Sequence, residues 1–559
     1  MWKHLFSNGF KGEQQNASSK NLILSVLNST TTKREAKDYL SKYTNEPQIV
    51  NHCLLFIRHL QSYSPQTLSR LSNSIKRLRM LGLRPVCIIP PTHRNLVMKQ
   101  SELLDKIITD AQLHPLHLKE GLSKSRTGLF HSVLSSEAKL FDGTIVDMVP
   151  IIKPYIYNEE TASEYMAKDV VKFMDHLSQN VTTHIDKFFI LNRIGGIPSI
   201  ERYDNSHVFI NLSQEYGSLN SELTRQLQVL ALREPESDHL LHRMELFAKE
   251  SEIVSQEMKV KEHLQDLQLM DAVLSNLSPS STGLITPVSS AALSSDTKNP
   301  LVYNLLTDRS LISSSLPRFK KHEVYELEEE ELEESPNEQL DPIFVTTVLK
   351  KGVNIKVFDF SSLTQHNTLG LPEEFYVNTK TPDLSSSLKL DLSKMKDLID
   401  ASFRRSINMS DFLKRINGKI ASIIVIGDYE GIAILTKEGP DERPFVYLDK
   451  FAVKPKMKGS LGISDIIFNL IFKKFPEEVV WRSRKDNVVN KWYFQRSVGV
   501  FDLSLNLNSA SANEKDQKDS LFELFYYGDP EISDKNFNNI ERLKEYAKYV
   551  RDIQPSWDK

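Results

Sequence analysis

Cysteine is almost absent: the 559 residues hold two, Cys53 and Cys87. Each sits in a short apolar run, CLLFIR or PVCIIP, where a thiol reads as a small buried hydrophobe. Two cysteines cannot build a disulfide framework, and no Cys/His group has zinc spacing, so no metal is expected. A reducing compartment fits. Long apolar runs are also missing. The chain is 40% hydrophobic, yet no stretch reaches the ~18 residues of a membrane helix, so no membrane partner is expected. Charge of one sign is not in excess either. The 70 basic and 73 acidic residues leave a net −3, which argues against a dedicated nucleic-acid binder. Glycine is scarce early on, with none between Gly12 and Gly82.

What is present is an α/β pattern in two parts. CLLFIR, an amphipathic stretch with Leu68, Leu71, Ile75, Leu78 and Leu81, and PVCIIP predict a βαβ unit with a parallel sheet. Apolar runs at Val149–Lys153, Phe188–Leu191 and His207–Leu212 extend it, and residues 213–275 read as helical. The run ELEEEELEE (326–334) reads as a solvated linker. The expected organisation is a start at 1–14, a first domain at 15–322, a linker at 323–343 and a second domain at 344–559 with its core at about 390–545. The start, MWKHLFSNGFKGE, is basic and apolar with no acid before Glu13. It reads as a mitochondrial presequence or as a ragged soluble terminus.

The second part predicts its elements in a definite order. VTTVLKKGVNIKVFD (345–359) reads as two short strands. Leu390–Phe403 and Ser410–Ile416 follow as helices. A hairpin turns around Gly427-Asp428-Tyr429-Glu430-Gly431, and PFVYLDKFAV is the next strand. A helix at Lys458–Phe475 opens with Gly459 and Gly462. EVVWRSR is a strand, Val488–Ser497 a helix, and VGVFDLSL and LFELFYYG are closing strands.

Three clusters carry chemistry. The turn Val453–Gly462 ends a strand and begins a helix, with two glycines and several lysines. Unpaired N–H groups there could hold a phosphate, although an ordinary turn with solvated lysines has the same composition. In WRSRKDNVVNKWYFQRS, Arg482 and Arg484 share a strand face. Paired guanidiniums suit a dicarboxylate, whereas two arginines on a solvated sheet edge would be the plainer arrangement. The third is Tyr447-Leu448-Asp449-Lys450-Phe451 on the strand before that turn, where Lys450 is a basic residue in an apolar strand, although a surface lysine on an edge strand would be the plainer reading.

GDYEGIAIL, YLDKFAV, WRSR and the N-x-x-N-x-W-Y-F of 487–494 together resemble the GNAT acetyltransferase superfamily. They are most similar to the acetyltransferase domain of the N-acetylglutamate synthase family. The segments NASSKNLILSVLNSTTTKREAKDYLSKY, LKEGLSKSRTGLFHSV and NPLVYNLLTDRSLISSSLP resemble the fungal mitochondrial members. The resemblance implies an N-terminal amino-acid-kinase-like parallel-sheet domain, a C-terminal GNAT-type mixed α/β domain and the mitochondrial matrix. It implies acetyl-CoA as co-substrate and L-glutamate as acceptor. Arg405, Lys450, Arg482 and Arg484 would hold the carboxylates, and Phe451 would offer backbone contacts. Asn487 would orient the reactants and Tyr493 would protonate the CoA thiolate. Lys458, Gly459, Ser460, Leu461, Gly462, Ile463 and Ser464 would cradle the pyrophosphate. Here the chain departs from the superfamily's Q/R-x-x-G-x-G/A, with Leu461 and Ile463 at the glycine positions. The resemblance also implies arginine as an inhibitor acting through the first domain, a homo-oligomer, and association with acetylglutamate kinase. Lacking a glycine-rich loop after its first strand, that domain is expected to be inactive as a kinase. The alternative is a non-catalytic acetyl-CoA-binding regulator of acetylglutamate kinase.

Overall fold

In a computed structural model the described residues are 51–135, 147–179, 181, 184–199, 206–231, 240–293, 299–310, 345–352, 354–359, 390–455, 463–504, 520–528 and 540–558. The start at 1–14, the acidic run 326–334 and the turn residues Lys458–Gly462 therefore lie outside them. Among the described residues, no helix is long and apolar enough to cross a membrane.

The chain divides into two compact units. The first is built on strands β1 (Asn51–Ile57), β2 (Leu83–Ile88), β3 (His114–Lys124), β4 (Phe130–Ser132), β5 (Met148–Asn158), β6 (Ser163–Met166), β7 (Ile185–Asn192), β8 (Phe209–Asn211), β9 (Thr282–Pro287) and β10 (Thr347–Lys350). Their order is β4-β3-β5-β2-β1-β7-β9-β10-β8, with β6 on β5. The pairs β1–β2, β1–β7, β2–β5, β3–β5 and β7–β9 are parallel. Helices α1 (Pro65–Met80), α2 (Arg94–Asp110), α3 (Val170–Ser178), α4 (Leu212–Ala231), α5 (Leu240–Asn276) and α6 (Pro300–Thr307) cover it. Alternate residues of β1 feed two cores. Leu54 and Phe56 pack with Phe173 of α3 and Leu267 of α5, while Cys53, Leu55 and Ile57 pack with Leu71 of α1 and Leu104 of α2. A sheet buried on both faces reads as continuous apolar runs, which is why CLLFIR and PVCIIP were legible as strands. Both cysteines are buried and free.

The boundary expected at 343/344 falls one strand too early. β10 pairs antiparallel with β9 and parallel with β8, inside the first sheet. The two short strands expected within 345–359 both form, but in different sheets. Gly352, at φ 84°, lies between them, where a left-handed backbone suits glycine.

The second unit carries β11 (Ile355–Asp359), β12 (Ile420–Ile426), β13 (Gly431–Glu438), β14 (Phe445–Val453), β15 (Val479–Arg484), β16 (Gly499–Asp502) and β17 (Phe522–Tyr527), ordered β11-β12-β13-β14-β15-β17-β16. Its helices are α7 (Leu392–Phe403), α8 (Met409–Ile416), α9 (Ile463–Lys474), α10 (Asn490–Arg496) and α11 (Ile540–Asp552). Met395, Leu398 and Phe412 of α7 and α8 pack on Ile423, Val425, Ile432 and Ile434. Tyr546 and Val550 of α11 pack on Tyr447, Val480 and Leu524. Gly431 faces α9, where a Cβ would meet Ile463 Cγ2 at 2.6 Å. The missing side chain lets the start of α9 seat directly on the sheet.

Candidate active site

The site begins at a break in hydrogen bonding. β14 and β15 are parallel neighbours, but they pair only at Val446 with Val479 and Tyr447 with Val480. Beyond that point β14 continues on β13 alone and β15 on β17 alone. The two strands therefore splay, and each presents unpaired backbone donors and acceptors to the gap. An extended amide-bearing chain such as pantetheine can pair with such an edge.

A β-bulge re-aims β14 at the splay. Its register with β13 steps from Leu448 opposite Leu435 to Lys450 opposite Ile434, leaving Asp449 as the extra residue. Asp449 and Lys450 then both reach α8. The Asp449 carboxylate accepts from Arg415 of α8 and from Lys450. Burial opposes its ionisation, but these two cations outweigh burial and hold its pKa below the usual carboxylate range. The Lys450 ammonium lies 4.8 Å from the Phe412 ring centre and 5.8 Å from that of Trp557. Phe451 turns to the other face, stacked 6.2 Å from Trp492 and edge-on at 5.1 Å to Phe468.

β15 alternates in the same way. Trp481 is buried toward α9 and α10, at 5.7 Å from Phe468 and 5.8 Å from Tyr493. Arg482 faces α11. Its Nη1 and Nη2 donate to the carbonyls of Val550 and Ile553, both at 2.8 Å. Those acceptors are end carbonyls that the helix itself leaves unpaired. Arg484 is exposed and forms a two-pronged pair with Asp486, at 2.9 Å for both bonds. Arg405 is exposed in the loop after α7, beside Arg404, which caps that helix at φ 56°.

On the opposite face, Tyr493 of α10 is 8% exposed and packs on Trp481, Trp492, Phe468 and Phe525. Burial pushes its phenol pKa up, so it stays protonated well past its ordinary range. Asn487 is exposed, and its side chain braces the β15–α10 turn. Nδ2 donates to Ser483 Oγ at 2.9 Å and Oδ1 accepts from the Val489 N–H at 3.2 Å. Of the expected pyrophosphate turn, Ile463 and Ser464 are described and form the first residues of α9.

The structure thus puts Lys450 and Arg482 on one face of the sheet, Tyr493 and Phe451 on the other, and the splay between them. It gives Asn487 a local bracing contact and Arg484 a surface partner. Sequence reasoning named Asp449 without a role and passed over Arg415; the pairing of Asp449 with Arg415 and Lys450 depends on a bulge no pattern announces. Asn490, the second asparagine of the N-x-x-N-x-W-Y-F motif, was given no role of its own; it is buried and donates to the Arg484 carbonyl at 2.8 Å. The pair of Arg496 with Asp465, at 2.9 Å, ties α10 to the start of α9. The spacing Tyr493–Arg496 was visible, but its partner lies on another helix.

A mixed sheet splayed between two adjacent strands, with cations on one face and a buried tyrosine on the other, defines an acyl-transfer domain of the N-acetyltransferase type. Residues 379–555 match the family model described as NAT, N-acetyltransferase, of N-acetylglutamate synthase. The chain is 60% identical to the mitochondrial amino-acid acetyltransferase of Saccharomyces cerevisiae (strain ATCC 204508 / S288c), over 100% of this chain and 99% of that one. It is 49% identical to the protein of that name in Kluyveromyces lactis, over 100% and 99%. With the Candida albicans one it shares 30%, over 96% and 92%. The chain belongs to the amino-acid acetyltransferase family.

Proposed function

We propose that the enzyme transfers the acetyl group of acetyl-CoA to the α-amine of L-glutamate, making N-acetylglutamate. The observation that carries this is the placement of Lys450 and Arg482 beside the splay, across the sheet from Tyr493. The thioester lies in the gap, its pantetheine paired with the free edges of β14 and β15. The start of α9 faces the pyrophosphate with Ile463 and Ser464; Lys458, Gly459, Ser460, Leu461 and Gly462, assigned to the same role from the sequence, lie outside the described residues. Lys450 and Arg482 take the acceptor's carboxylates, with Arg405 and Arg484 at the rim. A carboxylate is well matched by a guanidinium that keeps N–H groups free after serving two carbonyls.

The neutral amine attacks the thioester carbonyl, forming the C–N bond. The tetrahedral adduct collapses by breaking C–S. The departing thiolate takes the Tyr493 proton, and the proton lost by the amine is returned to the phenolate through water. The described C-terminal unit has no cysteine, so transfer is direct. Much of the rate comes from holding amine and thioester together. The test is CoA release by the purified chain, with the product identified by mass. Release that requires glutamate and yields N-acetylglutamate supports the reading, and release that ignores glutamate overturns it.

The first unit is read as a regulatory domain that binds arginine and mediates homo-oligomers and contact with acetylglutamate kinase in the mitochondrial matrix. Support for its lacking kinase activity comes from the end of β1. Arg58 there is buried and donates to Asp266 of α5 at 2.7 Å, and Asn192 donates to the same carboxylate at 2.9 Å. Side chains fill the place where a phosphate loop needs bare backbone. Calorimetry of the full chain with millimolar arginine tests the regulatory role, and absence of binding heat would end it.

A further inference from the structure

The C-terminal helix and the tail after it do more than close the sheet. α11 is anchored at its start by Arg542, which is buried and pairs with Glu478 just before β15. At its other end the tail runs antiparallel to the loop that carries Arg405. The Asn408 N–H donates to the Ser556 carbonyl at 2.9 Å, and the Asp558 N–H donates to the Ser406 carbonyl at 2.9 Å. Ile407 faces Trp557 across this short ladder.

The strap so formed meets each cation placed at the acceptor pocket except Arg484. It fixes the backbone next to Arg405. Its carbonyls at Val550 and Ile553 occupy one edge of the Arg482 guanidinium. Its Trp557 ring packs on Phe403 at 5.0 Å between centroids and lies 5.8 Å from the Lys450 ammonium. Phe412, at 4.8 Å, is the second ring against the Lys450 ammonium, which also pairs with Asp449. A lysine left alone samples many rotamers, and the two rings together with the Asp449 carboxylate remove most of that freedom. Trp557 lies beyond residue 555, where the match to the acetyltransferase family model ends.

We propose that this C-terminal strap, acting through Trp557, is a positioning element of the acceptor pocket. It sets the distance between Lys450 and Arg482, and thereby selects acceptors by the spacing of their two carboxylates. The proposal rests on the glutamate reading above. Trp557 touches no reacting atom in this account and works through Lys450 and the 405–408 loop.

Steady-state kinetics of Trp557→Ala and Trp557→Phe test it, with glutamate, aspartate and 2-aminoadipate as acceptors. Trp557→Ala should raise KM for glutamate by about tenfold or more and weaken the preference over aspartate and 2-aminoadipate. KM for acetyl-CoA should stay within about twofold, and Trp557→Phe should recover most of the loss. Unchanged glutamate KM and preference, or equal changes in both KM values, would overturn the proposal. Should Trp557→Ala fail to fold, hydrogen exchange of the wild-type enzyme decides. Glutamate added with CoA should slow the amides of Asn408 and Asp558, and unaltered exchange there sinks the idea. A wild-type enzyme that ignores glutamate refutes the function itself, a different result from variants that behave like wild type on glutamate.

Discussion

In the proposed mechanism Tyr493 supplies the proton that the departing thiolate takes. Its phenol is enclosed by Trp481, Trp492 and Phe525, and burial keeps the proton on. Tyr493→Phe should lower kcat by about a hundredfold with little change in either KM. Steady-state kinetics check this, and an unchanged kcat would remove the residue from the role. The same burial sets the pH profile. Activity should rise with pH as the glutamate amine loses its proton, and the alkaline fall should begin above the ordinary tyrosine range near ~10. A fall between about 8 and 9 would contradict the assignment. The two arginines of WRSR, although on one strand face, are not equivalent. Arg482→Ala frees the end of α11 as well as removing a cation, so glutamate KM should rise by about tenfold or more. Arg484 pairs with Asp486 in solvent, and Arg484→Ala should cost less. Equal effects would place both in the pocket on the same terms. Period-two alternation made the shared face legible. It could not reveal that carbonyls from the far end of the chain claim one arginine and a neighbouring aspartate the other.

At the scale of elements, the helices from Leu392 to Arg496 were readable from an apolar face with a helical period, and strands such as β12, buried at every position, from continuous apolar runs. The decisive features between them were not. The splay is a pairing that stops after Tyr447, and the bulge at Asp449 is one residue too many on one strand; both are set by partners distant in sequence. α11 went unread because IERLKEYAKYVRD is dominated by charge. Yet Leu543, Tyr546, Ala547 and Val550 form a proper helical stripe, and the buried Arg542 belongs to it. α9 and α10 are joined by Arg496 and Asp465, with the guanidinium 3.7 Å from the Trp492 ring centre. That link holds Tyr493 in register with the start of α9. Arg496→Leu removes the buried guanidinium that links α10 to Asp465 and should destabilise the C-terminal unit by about 3 kcal/mol. It should also lower kcat, because the helix carrying Tyr493 loses its reference point. Denaturant unfolding and turnover measured on one preparation would show both, and a loss of neither would separate α10 from α9.

For the whole molecule, the two-part α/β reading holds, and the division lies one strand later than composition suggests. The acidic run that suggested the division lies outside the described residues, and a short apolar strand does not say which sheet it will join. β10 goes to the first unit and brings Lys350 into its interior. Burial there pushes the Lys350 amine down to about 8, near the ion pair of Lys187 with Asp308. A base with a depressed folded-state pKa binds fewer protons folded than unfolded, so stability rises with pH across that interval. The first unit should gain up to about 3 kcal/mol between pH ~8 and ~10.4, and Lys350→Met should flatten that slope. Unfolding midpoints across that range check it, and equal slopes in both proteins would contradict it.

The central claim is that cations on one side of a splayed sheet choose the acceptor by its two negative ends. Its most direct measure is the ratio of kcat/KM for glutamate to that for glutamine, which differs only in the charge of one end. The account predicts a ratio of about a hundred or more in the wild-type enzyme, falling toward one in Lys450→Met. A wild-type ratio near one would contradict it.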